Sequence, residues 1–109
     1  MAIRIGVLQM DRSNIVTLIK TEHVKNNIGV YEVFETKRDI FCNIGSVSGS
    51  EWMEAGRIGI NPQYKITVFE YDYAGEVIAE LNGVRYGIYR TYLGKNENLE
   101  LYLEKKAGV

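Results

Sequence analysis

The chain has 109 residues, of which 46% are hydrophobic and 25% charged. That is room for one domain with one modest core, so residues 1–109 read as a single domain, and a two-domain enzyme or a TIM barrel is excluded. Thirteen basic residues balance fourteen acidic ones for a net charge of −1, without the basic footprint of a dedicated nucleic-acid binder. No apolar run approaches the ~18 residues of a membrane span. Met1-Ala2-Ile3-Arg4-Ile5 lacks the pattern of a signal peptide, and Cys42, the only cysteine, has no partner for a disulfide or a cysteine metal cluster. These features lead us to expect folding in a reducing cytosol.

The dominant hydrophobic period is two. Ile3, Ile5 and Val7 alternate over a short stretch. Ile15 to Val24 reads as a strand, Asn26 to Gly29 as a loop, Val30 to Phe34 as a short extra strand and Arg38 to Val47 as another strand. Ser48 to Gly56 breaks the pattern and predicts a short helix. Ser48 and Glu51 have capping-box spacing, and Gly56 stands where a glycine stop is expected. Arg57 to Pro62 reads as a loop. In Tyr64 to Tyr73 the large residues change parity at Val68-Phe69, which predicts a β-bulge or a strand buried on each face in turn. Val77, Ala79 and Leu81 then share one face of a strand and lead into Asn82-Gly83, a strong hairpin signal. The return strand runs from Val84 to Leu93, and a loop at Gly94 to Asn98 leads to a last strand. There Leu99, Leu101 and Leu103 face the core while Glu100 and Glu104 face water. The sum is a mainly β protein, a small antiparallel β-barrel or sandwich with one short helix in an inserted loop.

Few residues suggest chemistry. Gly45-Ser46-Val47-Ser48-Gly49 fails as a nucleophile elbow, because the third place holds Val47. His23 is the only histidine, reads as solvated, and has no cysteine nearby with which to bind zinc. Glu51 and Glu54 read as the solvated face of the helix, with charge suited to its N-terminus. Gly56 and Gly59 do not form a phosphate loop. Arg85, Tyr89 and Arg90 mix basic and aromatic groups as a single-strand-binding barrel face would, but the charge balance does not suit that use. Trp52 is either a cap on the barrel or a contact to a partner. The residues imply neither a cofactor nor a metal, and no catalytic site.

Two ordered stretches add a resemblance. The first is Val47-Ser48-Gly49-Ser50-Glu51-Trp52-Met53-Glu54-Ala55-Gly56, followed by Gly59-Ile60-Asn61-Pro62-Gln63-Tyr64. The second is Leu81-Asn82-Gly83 with Tyr86, then Ile88-Tyr89-Arg90-Thr91-Tyr92 and Leu99-Glu100-Leu101-Tyr102. Together they resemble the head-closure (head–tail joining, or stopper) proteins of tailed bacteriophages and prophages over about residues 15–109. The resemblance implies a β-barrel with a helix-containing insertion and a structural, non-enzymatic role at the head–tail junction of a virion made in a bacterial cytoplasm. Many copies would form a homo-oligomeric ring beneath the portal and adaptor rings, retain the packaged double-stranded DNA without sequence-specific binding, and receive the tail proteins. It further implies that Ser48 to Pro62 faces the channel, with Ser48, Ser50, Glu51, Trp52, Glu54, Arg57 and Asn61 as its partner-facing residues, and that Arg57 touches a neighbouring subunit or DNA. The alternatives are a tail-terminator or another neck subunit, or an oligonucleotide-binding β-barrel.

Overall fold

The computed structural model describes residues 14–109; the alternation at Ile3, Ile5 and Val7 lies outside the described residues. The fold is mainly β. Its strands are β1 (Asn14–Lys25), β2 (Tyr31–Gly45), β3 (Pro62–Phe69), β4 (Ile78–Leu81), β5 (Val84–Leu93) and β6 (Asn98–Glu104), with one helix, α1 (Gly49–Arg57), between β2 and β3. All strand pairs are antiparallel, and the sheet closes as a barrel in the order β1-β2-β3-β6-β5-β4. Alternate residues point inward. Val16, Leu18, Ile40, Cys42, Ile66, Val68, Ala79, Leu81, Leu99, Leu101 and Leu103 form the core, joined by Tyr86. The two-residue turn at Asn82-Gly83 closes the β4–β5 hairpin with φ of 51° and 81°, the paired positive angles that this sequence favours. Among the described residues, no helix is long and apolar enough to cross a membrane.

The elements differ from the sequence reading at five places. The two strands expected at Val30 to Phe34 and Arg38 to Val47 are one continuous strand, β2. The helix does not stop at Gly56. It continues through Arg57, with Ile58 as C-cap, and the left-handed residue beyond is Gly59 at φ 84°. The loop is accordingly shorter than Arg57 to Pro62. β3 ends at Phe69, and Glu70–Asp72 form a 3₁₀ turn in which Tyr71 is exposed. The parity change at Val68-Phe69 thus marks the end of a strand. Finally, Val77 is 57% exposed while Ile78 is buried, because β4 begins only at Ile78. Two register shifts do occur elsewhere, between Pro62 and Tyr64 in β3 and between Ile88 and Arg90 in β5.

The barrel uses only part of the long first hairpin. β4 pairs with β1 at Thr17, Leu18 and Ile19, and β3 pairs with β2 at Asn43, Ile44 and Gly45. From Lys20 and Thr36 outward to the turn, β1 and β2 pair with each other alone among the described residues. They form a two-stranded arm on which residues 27–37 are all exposed. The arm explains a radius of gyration of 15.9 Å, against about 13 Å for a compact domain of this length. The turn at its tip is held by Asn26, whose side-chain oxygen accepts from the Ile28 and Val30 amides.

Two stability contrasts follow. Leu101 is fully buried, so Leu101→Ala should cost about 2–5 kcal/mol in urea melts, whereas Val33→Ala on the arm should stay below about 1 kcal/mol. Gly56 lies inside α1 with open space around its Cα, whereas Gly59 needs a positive φ. Gly56→Ala should therefore stabilise the fold by roughly 0.5–1 kcal/mol and Gly59→Ala should destabilise it by about 1 kcal/mol; equal effects would mean that the helix ends at Gly56.

Candidate interaction surface on the inserted helix

α1 begins with one half of the capping box that its sequence suggests, the cap by Ser48. The Ser48 hydroxyl accepts from the Glu51 amide at 3.1 Å and lies 3.5 Å from the Ser50 hydroxyl, satisfying one of the free donors of the first turn. The Glu51 side chain then leaves the helix and reaches the barrel wall. It accepts from the Tyr89 hydroxyl at 2.7 Å and from Arg90 Nη2 at 2.6 Å. Tyr89 lies within the register shift of β5 and Arg90 at its end, and a bulge of this kind re-aims side chains. Arg90 also lies over the Tyr102 ring, 4.1 Å from its centroid. Tyr102 alternates with the inward-facing Leu101 and Leu103, so this cluster stands on the outside of the barrel. The hydrogen bond from Arg90, joined by that from Tyr89, outweighs burial and holds the Glu51 carboxyl below its ordinary range. Burial, reinforced by the Glu51 carboxylate, pushes the Tyr89 hydroxyl up.

The anchored helix buries Ala55 and turns its larger apolar groups outward. Trp52 is 57%, Met53 61% and Ile58 75% exposed. Trp52 and Met53 therefore do not plug an end of the barrel. Glu54 and Arg57 form an exposed ion pair at 3.1 Å beside them. Ser48 and Ser50 are exposed at the start of the helix. Asn61 lies away from it, next to the end of β6, where its carbonyl accepts from the Lys105 amide. Of the residues singled out in the sequence, Trp52, Glu54 and Arg57 are thus exposed on the insertion, as are Met53 and Ile58. Glu51 is the bolt that positions the helix and is not itself a free contact. Glu100, expected in water, accepts from Tyr102 and pairs with Lys65 at 3.8 Å.

A second anchor escaped the sequence reading. Glu76, 3% exposed, accepts from Arg38 Nε and Nη2 at 3.0 and 2.6 Å and from the Ala74 amide at 2.8 Å. Arg38 also donates to the Asp72 carbonyl, and the Tyr73 hydroxyl donates to the Glu76 carbonyl. Burial pushes the Glu76 carboxyl up, but the bonds from Arg38 and the backbone outweigh it, and the group stays below its ordinary range. The polar residue beside the strand Ile78–Leu81 carried no distinguishing pattern in the sequence, because its partner lies 38 positions away.

The groups that suggested a nucleic-acid face are engaged with acids of their own chain. Arg85 bonds both oxygens of Glu35 at 2.7 and 2.8 Å and lies 3.6 Å from Glu80; Tyr89 and Arg90 hold Glu51. His23 is exposed on the arm. An open pocket of about 370 Å³ at the opposite mouth of the barrel from Glu76 is lined by Ile44, Tyr64, Leu81, Asn82, Val84 and Tyr86, without a charged group. No protein-family model matches the chain, and no curated protein matches it either.

The two anchors make the fold acid-sensitive. Glu51 and Glu76 both have folded-state pKa values lowered from the usual 4.5. A lowered carboxylate stabilises the fold at neutral pH and loses that contribution as pH falls below its unfolded value, so the melting temperature should hold from pH 7 to about 5 and drop below about 4.5. Glu76→Ala should cost about 3 kcal/mol, because it leaves the Arg38 charge without its partner, and should flatten the acid limb. An unchanged acid limb would show that Glu76 is not ionised in the native state.

Proposed function

We propose that the chain is a structural subunit of the head–tail connector of a tailed phage or prophage, acting in a ring that closes the DNA channel after packaging and offers a docking surface to the tail. The observation that carries this reading is the insertion between β2 and β3, a helix bolted to the outside of a barrel by Glu51 with Trp52, Met53 and Ile58 presented outward. Aromatic and methionine side chains held on a rigid support are suited to contacts with another protein. The ordered motifs of residues 47–64 and 81–102, similar to those of head-closure proteins, supply the kind of partner: portal or adaptor ring, tail proteins and further copies of the chain. Near-neutral charge fits a channel that passes DNA without gripping its phosphates. Arg57, beside Glu54, is the cation of this surface that DNA or a neighbouring subunit meets. In this reading the role is structural, not catalytic.

The test is a double variant, Trp52→Ala with Met53→Ala, assembled into heads in an otherwise intact phage. Both side chains are exposed, so the melting temperature should change by no more than a few degrees. Packaged heads should lose DNA or fail to join tails. A variant that folds normally and retains both genome and infectivity would refute the proposal. Arg57→Ala in the same assay separates the two uses of that residue: leakage with normal tail joining points to the channel, and failed joining points to a protein contact.

A further inference from the structure

The arm beyond the barrel suits one kind of occupant. Among the described residues, no strand pairs with the outer edge of β1 at Lys20–Lys25 or with the outer edge of β2 at Tyr31–Cys42. An open edge of this length is a template for pairing with another strand. Both faces of the arm are apolar in part: Val24 and Phe34 stand on one, Tyr31 and Val33 on the other, and Ile28 and Val30 at the tip, all at least 48% exposed. The two edges face opposite ways and differ in charge. Lys20, Lys25 and Glu22 give the β1 segment a net +1. Glu32 and Glu35 give the facing stretch of β2, Tyr31–Thr36, a net −2, of which Arg85 neutralises one. Like edges repel and unlike edges attract.

We infer that the arm joins copies of this chain head to tail, the β1 edge of one arm adding as an antiparallel strand to the β2 edge of the next. The direction follows from the fold. Within one arm β1 and β2 are antiparallel, so when all arms point the same way, β2 of one copy and β1 of its neighbour are antiparallel too. Such a contact uses a different patch on each side of every subunit and closes into a ring if the rotation permits. Arg85, bonded to Glu35 at the base of the arm, fixes the angle at which the arm leaves the barrel. The inference deepens the ring reading proposed above by naming the contact between copies.

Cysteine pairing tests it in the purified full chain. With copies at the same height, the register that sets Val24 opposite Glu32 within one chain sets Val24 of one copy opposite Glu32 of the next. Directly opposed residues in an antiparallel pair lie within disulfide range. Val24→Cys and Glu32→Cys are made separately, each at an exposed position. Cys42 is fully buried and its thiol pushed up to about 11 by burial, so it does not compete. Under mild oxidation the 1:1 mixture should give a covalent dimer joining one variant to the other, and either variant alone should give none. Dimers within a single variant would mean that like edges pair, and would overturn the inference. No dimer in the mixture would also overturn it. Sedimentation of the wild-type chain keeps the two readings apart: a multi-copy assembly without the cross-link leaves a ring standing and removes the arm from it. As a second readout, Lys20→Glu with Lys25→Glu should abolish cross-linking to Glu32→Cys.

Discussion

Burial of the Glu76 carboxylate constrains the rest of the structure. A carboxylate removed from water is costly unless it is paired and hydrogen-bonded. Here the Arg38 guanidinium and the Ala74 amide meet its oxygens, and Arg38 Nη2 also donates to the Asp72 carbonyl. The bonds tie the segment before β4 to the middle of β2, with the Tyr73 hydroxyl closing the same segment on itself. Arg38 sits opposite Leu18, the central residue of the short β1–β4 pairing that closes the barrel. The ion pair therefore stands where the sheet becomes a barrel, and also where the arm departs from it.

Closure and protrusion are two consequences of one strand length. Leu18 and Ile40 lie in the core, and the same alternation carried outward reaches Phe34 and Val24, which no facing sheet covers among the described residues. The inserted helix repeats the arrangement on a smaller scale. Ala55 and Glu51 hold it to the wall, and Trp52 and Met53 therefore point away from the wall. In both places a polar bond fixes the backbone, Arg85 to Glu35 at the arm and Arg90 to Glu51 at the helix. A pre-positioned apolar group loses little conformational freedom on binding, so rigid support and exposed apolar surface belong to one design.

What the sequence made legible is what local rules govern. The cap at Ser48, the turn at Asn82-Gly83 and the inward set Leu99, Leu101 and Leu103 each follow from spacings of a few residues, and each is found as expected. The misreadings come from competition between local and distant interactions. Gly56 and Gly59 both satisfy a helix-stop pattern, and the choice fell to Gly59 because the backbone continues to Ile60, whose amide donates to the Ala55 carbonyl. Phe69, Tyr71 and Tyr73 alternate like a strand, but the Glu70 amide donates to the Glu97 carbonyl and the chain bends into a 3₁₀ turn. The insertion Ser48 to Pro62 was legible as a helix between strands. That Glu51 would anchor it was not, since its partners are 38 and 39 residues away on a bulged strand.

The arm shows the same limit from the other side. Its strands set Val24 and Phe34 on the face that carries Leu18 and Ile40 in the barrel, so period two alone reads it as a continuation of the sheet. Burial depends on what lies across from a strand, and that is set by where the partners stop: β4 pairs with only three residues of β1 and β3 with only three of β2. A hairpin of about 17 residues without a third strand or a covering layer is marginal in water. This one is held at its root by the barrel, by Arg38–Glu76 and by Arg85–Glu35. Charged residues on both edges keep it from pairing indiscriminately, and their unequal distribution, cationic on β1 and acidic on β2, leaves one favourable way for two arms to meet.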